Sequence, residues 1–279
     1  MEVFDTLTKF QKVLNKNHTN RTIGCVPTMG ALHDGHLSLI KQAKNENDIV
    51  VVSIFVNPTQ FNNNSDLLNY PKTLEADLAL LEQIGCDIVF TPSVLEMYPH
   101  GEVSESFNFD GLELEMEGKF RPGHFDGVGT IVKRLLEIVK PTNAYFGEKD
   151  YQQLLIIKKM VSELKMPINI VPCPIFREAN GLAMSSRNER LTAEHRDEAN
   201  LIYKCLLNVK SDFKKKTIKE LNSEVKAIFK NHSFFDLEYF VIADTQSLKP
   251  AKSINPNLEY RAFIATYAGE IRLIDNITL

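Results

Sequence analysis

The sequence predicts an α/β protein, with a parallel sheet and crossover helices over residues 1–175 and a smaller α+β unit over residues 176–279. Three observations predict it. Short apolar runs alternate with amphipathic helical stretches through the first part of the chain, which is the rhythm of a parallel sheet. After about Phe176 that rhythm gives way to helices followed by strands. At 279 residues the chain has room for two cores, since single cores stop growing near ~250–300 residues.

The elements follow in order. Thr22 to Val26 is a short apolar run ended by Pro27, and it reads as a buried strand. After a glycine-containing loop, Leu37, Ile40 and Ala43 share the face of a helix. Ile49 to Val56 is apolar at nearly every position, as a strand covered on both faces should be. Thr73 stands where a cap is needed for a helix bearing Leu74, Leu78 and Leu81, and Gly85 follows its end. Asp87 to Phe90 is the next strand. Val128 to Val139 reads as an apolar helix stopped by Pro141, and Ala144 to Phe146 as a strand. Tyr151 to Leu164 is again helical, and Ile168 to Cys173 closes the series. Beyond it, Thr192 caps a long helix and Lys216 to Phe229 forms another. Leu237 to Val241, Tyr260 to Tyr267 and Ile271 to Ile274 read as strands, the last two joined through Ala268-Gly269-Glu270 as a hairpin.

Composition excludes several classes. With 43% hydrophobic and 24% charged residues the chain is an ordinary globular one. A net charge of -4 exerts no general attraction for nucleic acid or anionic lipid, so neither partner is expected. The apolar run from Ile49 to Val56 is far below the ~20 residues of a membrane helix, and the N-terminus shows no signal peptide. Cys25, Cys86, Cys173 and Cys205 are scattered without the close pairs that zinc sites use. Buried thiols and a reducing cytoplasmic compartment are expected.

The chemistry concentrates at loops that leave strands. Met29-Gly30-Ala31-Leu32-His33-Asp34-Gly35-His36 lies between a strand and a helix. Open α/β sheets bind ligands there, and the helix start offers unpaired N–H groups and a positive dipole end to phosphate. His33 and His36, three residues apart, can face one phosphate. A bare pair of surface histidines has the same spacing, and a metal site would need a third ligand that no familiar spacing supplies. Asn57-Pro58-Thr59-Gln60-Phe61 follows the second strand, either as a simple turn or as polar groups opening into the same crevice. Gly147-Glu148-Lys149-Asp150 and Gln153 repeat the arrangement after a later strand, where Lys149 serves a phosphate or a structural carboxylate. Met184-Ser185-Ser186-Arg187 falls at the junction of the two units, as a phosphate clamp or a serine-rich linker.

The His-x-Gly-His segment resembles the signature of adenylate-forming nucleotidyltransferases. The strings PTMGALHDGH, SIFVNPTQF, RPGHFDGV, GEKDYQQL and GLAMSSRN, in this order, resemble those of the pantothenate synthetase family from Pro27 to Asn188. The resemblance implies a Rossmann-like nucleotide-binding domain, a smaller C-terminal domain that closes over the site, and a homodimer. It implies ATP as a substrate accompanied by Mg²⁺, with pantoate and β-alanine joined through a pantoyl-adenylate. Met29 to His36, Gly147 to Asp150, Phe176 (through its backbone, to adenine) and Met184 to Arg187 would bind ATP. Among these, His33, His36, Lys149, Ser185, Ser186 and Arg187 would carry catalysis. Gln60 and Gln153 would hold pantoate, Gln60 would also meet β-alanine, and Asn57, Tyr70 and Arg121 would complete the pocket. Asp77 is a candidate Mg²⁺ partner or a solvated helix carboxylate. The chain departs from the family's pattern at Phe176, often Val there, and at Asn180, often Asp, where a lost charge near Ser185 would alter loop closure. A related nucleotidyltransferase with another acceptor lacks the Gln60/Gln153 pairing. A binding module without catalysis would not need the whole set of His33, His36, Lys149, Ser185, Ser186 and Arg187.

Overall fold

The computed structural model describes residues 1–17, 20–62 and 64–279. Strands β1 (Glu2–Phe4), β2 (Ile23–Thr28), β3 (Ile49–Ile54), β4 (Ile88–Phe90), β5 (Asn143–Gly147) and β6 (Asn169–Cys173) form one parallel sheet in the order β1-β4-β3-β2-β5-β6. Helices α1 (Leu7–Asn17), α2 (Asp34–Glu46), α3 (Asn64–Leu68), α4 (Leu74–Gln83), α5 (Val94–Met97), α6 (Met116–Phe120), α7 (His124–Val139) and α8 (Tyr151–Glu163) accompany it. The continuous apolar run of β3 has a simple cause. Val51 packs with Phe10, Leu136 and Ile157 on one side of the sheet, while Val50 and Val52 pack with Ile40, Ala43 and Leu81 on the other. A strand covered on both faces has no solvent side to alternate toward.

The remaining elements are α9 (Ala193–Glu198), α10 (Asn200–Asp212), α11 (Ile218–Lys230) and the antiparallel sheet β7 (Phe235–Asp244), β8 (Tyr260–Ala268) and β9 (Ile271–Thr278). Their own core joins Ile202, Leu206, Leu221 and Val225 of the helices to Phe240, Ile242 and Ile264 of the strands. The β8–β9 hairpin turns at Gly269, whose φ of +60° suits glycine.

Three local expectations are corrected. Strand β2 does not stop before Pro27 but runs through it, with Pro27 opposite Ser53. Pairing with β5 ends at Cys25, so on that side Pro27 has no neighbour to which a missing N–H matters. Thr192 does cap a helix, accepting from the His195 N–H at 3.2 Å, but that helix ends after six residues. Asn200 Nδ2 donates to the Asp197 carbonyl at 2.7 Å, a side-chain bond that competes with the helical ladder, and a second helix begins there. Helix α7 starts at His124, four residues before its apolar run, because His124 and Phe125 also turn inward.

A candidate active site where the strand order reverses

The sheet reverses its winding between β2 and β5, and the loops that follow these strands and β3 open into one crevice. The loop after β2 is tightly held. Thr28 Oγ1 donates to the Ser53 carbonyl at 2.8 Å and accepts from the Gly30 N–H at 3.2 Å. Gly30 and Ala31 both take left-handed φ values, +80° and +48°. Asp77 fixes that shape: Oδ2 accepts from the Ala31 N–H at 3.0 Å and Oδ1 from the Leu32 N–H at 2.8 Å. Thr73, in place of capping α4 with its side chain, donates its hydroxyl to Asp77 Oδ1 at 3.2 Å.

Helix α2 therefore starts at a fixed point, with its N-terminus toward the crevice. The His33 and His36 rings stack with centroids 4.0 Å apart, and the Nδ1 atom of each is buried without a hydrogen-bond partner among the described residues. A methyl group on Gly35 would lie 2.9 Å from the His33 ring, so glycine is what permits the stack. Burial, reinforced by Lys149, lowers His33 to about 4, and burial with the neighbouring His33 and Lys149 lowers His36 to about 3. Both rings are uncharged at neutral pH. Between pH 6.5 and about 4 the unfolded chain binds protons that the folded chain refuses, so stability falls as pH falls through that window. Melting temperature is expected to drop across it, and to drop less in His36→Gln; equal slopes for the two proteins would contradict these environments.

At the end of β3, Asn57 is fully enclosed. Its Nδ2 donates to the Gly127 carbonyl at 3.2 Å and to Gln60 Oε1 at 3.1 Å, while its Oδ1 accepts from the Tyr98 hydroxyl at 2.6 Å. Gln60 reaches Met29 Sδ with its Nε2 at 2.9 Å, and its own carbonyl meets Arg121 Nη2 at 3.2 Å and His124 Nδ1 at 2.8 Å. After β5, the carbonyls of Glu148 and Lys149 accept from Asn276 Nδ2 at 3.0 and 2.9 Å, which anchors the loop to β9. Among the described residues the Lys149 ammonium has one ion-pair contact, a long one of 3.9 Å to Asp150.

The junction segment closes the circle. Ser185 caps the short turn Ser186–Arg190, and Ser186 Oγ donates to the Ala31 carbonyl at 2.9 Å. Arg187 and Arg190 share the Asp66 carboxylate at 2.8 and 3.1 Å.

Residues from all four segments line one cavity of about 240 Å³. Met29, His33, Gly35 and His36 come from the first loop, Asn57, Gln60 and Tyr70 from the second, Gly147, Lys149, Asp150 and Gln153 from the third, and Phe176 with Met184 to Arg187 from the junction. Arg121 faces an adjoining cleft of about 690 Å³, which shares Lys149, Asp150, Ser185 and Arg187 with the first. Several expected residues do not reach the cavity wall. Gly30, Ala31 and Leu32 shape the loop behind it, Asp34 is exposed, and Glu148 pairs with Arg261 at 3.3 Å. Asp77 is a correction: it is neither solvated nor turned toward the cavity, but 2% exposed with both oxygens spent on backbone amides. Among the described residues no group of three or more His, Cys, Asp or Glu is arranged to hold a metal.

The cavity also has an apolar wall. Val128, Ile131, Val132 and Leu135 of α7 line the cavity at helical spacing, a pattern that the sequence shows only as an apolar helix with no role at the site. At the two departures from the family pattern, the Phe176 carbonyl accepts from the Met184 N–H at 3.0 Å, a contact indifferent to the side chain. Asn180 donates to the Arg196 carbonyl at 3.1 Å and accepts from the Leu182 N–H at 3.0 Å. An aspartate makes only the second of these bonds, so asparagine adds a tie from this turn to α9.

The family model for pantoate-beta-alanine ligase matches residues 2–278. The chain belongs to the pantoate–β-alanine ligase family. It is 56% identical over 260 residues to the pantothenate synthetase of Flavobacterium psychrophilum, covering 93% of this chain and 92% of that one. It is 46% identical to the pantothenate synthetase of Bacteroides thetaiotaomicron over 99% and 98% of the two chains. Among solved structures, the pantothenate synthetase of Thermus thermophilus superposes with a TM-score of 0.90 at 39% identity, over 99% of both chains. The pantoate-beta-alanine ligase of Francisella tularensis, complexed with beta-gamma ATP and beta-alanine, gives a TM-score of 0.84 at 40% identity over 100% of this chain and 97% of that one. No helix among the described residues is long and apolar enough to cross a membrane.

Proposed function

We propose that this chain joins pantoate to β-alanine at the expense of ATP, by way of a pantoyl-adenylate. One observation carries the reading: a single cavity brings together a helix N-terminus with two stacked histidines, Lys149, Arg187, the paired amides Gln60 and Gln153, and an apolar wall. Phosphates need the first three features. A small hydroxy acid with a geminal dimethyl group needs the last two.

In the first step a pantoate carboxylate oxygen attacks the α-phosphorus of ATP, and the bond from that phosphorus to the bridging oxygen of the β-phosphate breaks. Charge grows on the departing diphosphate, where the α2 amides, Lys149 and Arg187 offset it. His33 and His36, neutral in the free protein, donate N–H hydrogen bonds there, and the arriving phosphate charge favours their protonation. Arg187 exchanges its Asp66 carboxylate for phosphate oxygens, which its planar guanidinium binds bidentately. Ser185 and Ser186 belong to the same clamp, with Met184 against Gly35. Mg²⁺ enters with ATP as part of the substrate, held by phosphate oxygens and water.

Gln60 and Gln153 orient pantoate's hydroxyls and carboxylate, with Asn57, Tyr70 and Arg121 around them. In the second step the uncharged amine of β-alanine, held beside Gln60, attacks the acyl carbon. The carbon–oxygen bond to phosphate breaks, AMP leaves, and the new amide nitrogen loses a proton. The segment 176–279 acts as a closing domain against the nucleotide domain 1–175, keeping water from the mixed anhydride. The anchorage of the Gly147–Asp150 loop on β9 supports that role. Family membership supports a homodimer, and four buried free thiols support a reducing, cytoplasmic setting. Purified protein is expected to release AMP and diphosphate from ATP only when pantoate is present, and to turn over fully only with β-alanine. Equal ATP consumption without pantoate would remove the substrate assignment.

A further inference from the structure

A part-buried ionic cluster on the wall of the adjoining cleft joins the two halves of the molecule. Glu117 on α6 accepts from both Arg272 nitrogens of β9, at 2.7 and 2.8 Å, and from the Tyr239 hydroxyl of β7 at 2.7 Å. The Phe120 ring stacks on Tyr239 beside it, with centroids 5.5 Å apart. Four residues along, Arg121 lies 3.6 Å from Glu117 and gives its other nitrogen to the Gln60 carbonyl at 3.2 Å. His124 takes the same carbonyl at 2.8 Å. Gly127, one turn further, packs so closely that a methyl group there would sit 2.4 Å from the Thr59 carbonyl oxygen. The backbone that carries Gln60 is thus gripped by the α6–α7 segment, and that segment is gripped by the antiparallel sheet.

We infer that Glu117 is a positioning residue for the pantoate-binding glutamine: its ion pair with Arg272 transmits closure of the antiparallel sheet, through Arg121 and α6, to the backbone of Gln60. The inference rests on the reading of Gln60 as a pantoate contact. The partners are arranged so that the pair can break without stranding a charge. Arg272 also holds Glu238 of its own sheet, at 2.9 and 2.5 Å, and keeps that carboxylate if it lets go of Glu117. Glu117 retains Arg121 on its own side. An ordinary buried pair leaves an uncompensated charge when parted, and this one does not. With Arg272 on Glu117, Arg121 keeps a longer 3.6 Å contact to that carboxylate through Nη1 and gives Nη2 to the Gln60 carbonyl. Burial by itself would raise the Glu117 carboxyl, but Arg272, with Tyr239 and Arg121, outweighs it and holds the group at about 2, so the pair stays charged at working pH.

The test is steady-state kinetics of the full chain carrying Glu117→Gln, Arg272→Met, both together, and Gln60→Ala. Glu117→Gln is expected to lower kcat/KM for pantoate about tenfold to 100-fold, the scale on which misplacing a positioning group acts, with little change in KM for ATP. The double variant is expected to be no worse than the worse single one, because the two residues act as a unit. Equal losses for pantoate and ATP, no loss at all, or multiplying losses in the double variant would each overturn the inference. Should Glu117→Gln fail to fold, Tyr239→Phe removes one hydrogen bond to the same carboxylate; a smaller pantoate-specific loss supports the inference and unchanged pantoate kinetics overturns it. Normal pantoate kinetics in Gln60→Ala sinks the reading of Gln60 and the inference with it. A defect in Gln60→Ala without one in Glu117→Gln sinks the inference alone.

Discussion

Lys149→Ala is expected to slow adenylate formation by about 100- to 1000-fold, the usual consequence of removing one preorganised group that meets charge as it develops. The fold should survive. Among the described residues the ammonium's one ion-pair contact is at 3.9 Å to a half-exposed Asp150 carboxylate, and exposed pairs of that kind contribute roughly 0–1 kcal/mol. The loop's attachment to β9 runs through the Lys149 backbone carbonyl, which alanine keeps. Arginine is not expected to restore the rate, since a planar fork cannot occupy the position of a compact ammonium. Single-turnover measurement of AMP formation in pantoate and ATP, alongside a melting curve, checks both halves. A variant within about tenfold of the parent would remove Lys149 from the account, because one donor in such a site is worth roughly 3–4 kcal/mol.

Gln60→Ala is expected to act on the other substrate. Its amide is positioned by Asn57 and Met29, at 3.1 and 2.9 Å, and neither partner is left stranded by truncation, since Asn57 retains the Gly127 carbonyl. The loss should therefore fall on recognition rather than on packing. Hydrogen bonds to charged groups are worth about 1.5–3 kcal/mol, so kcat/KM for pantoate should drop by roughly 10- to 100-fold. KM for ATP should change little, as the groups proposed to meet its phosphates come from other loops. Initial rates with each substrate varied in turn make the comparison. A matching fall in both would mean that Gln60 supports the whole cavity rather than pantoate.

Much of this was written in local sequence. Strands β2 and β3 stand out because both their faces are buried, which leaves uninterrupted apolar runs. The loops after β2, β3 and β5 hold their polar residues close together in the chain, so His33, His36, Gln60 and Lys149 stand out together as candidates. Strand β1 was not: it has three residues at a sheet edge, too few for any periodicity. The roles of Asp77 and Glu117 were hidden for a different reason. Asp77 acts on amides 45 and 46 residues away, and Glu117 on an arginine 155 residues away. Nothing near either carboxylate in the chain distinguishes it from a solvated helix residue; only the closed fold supplies the partner. Asp66 is similar, meeting Arg187 and Arg190 across more than a hundred residues.

The proposed reaction requires that pantoate's own oxygen become bonded to the α-phosphorus within this cavity. Pantoate labelled with oxygen-18 in its carboxylate tests it most directly. After one turnover with ATP and β-alanine, one labelled oxygen is expected in AMP and none in diphosphate. Label in diphosphate, or AMP free of label, would contradict it.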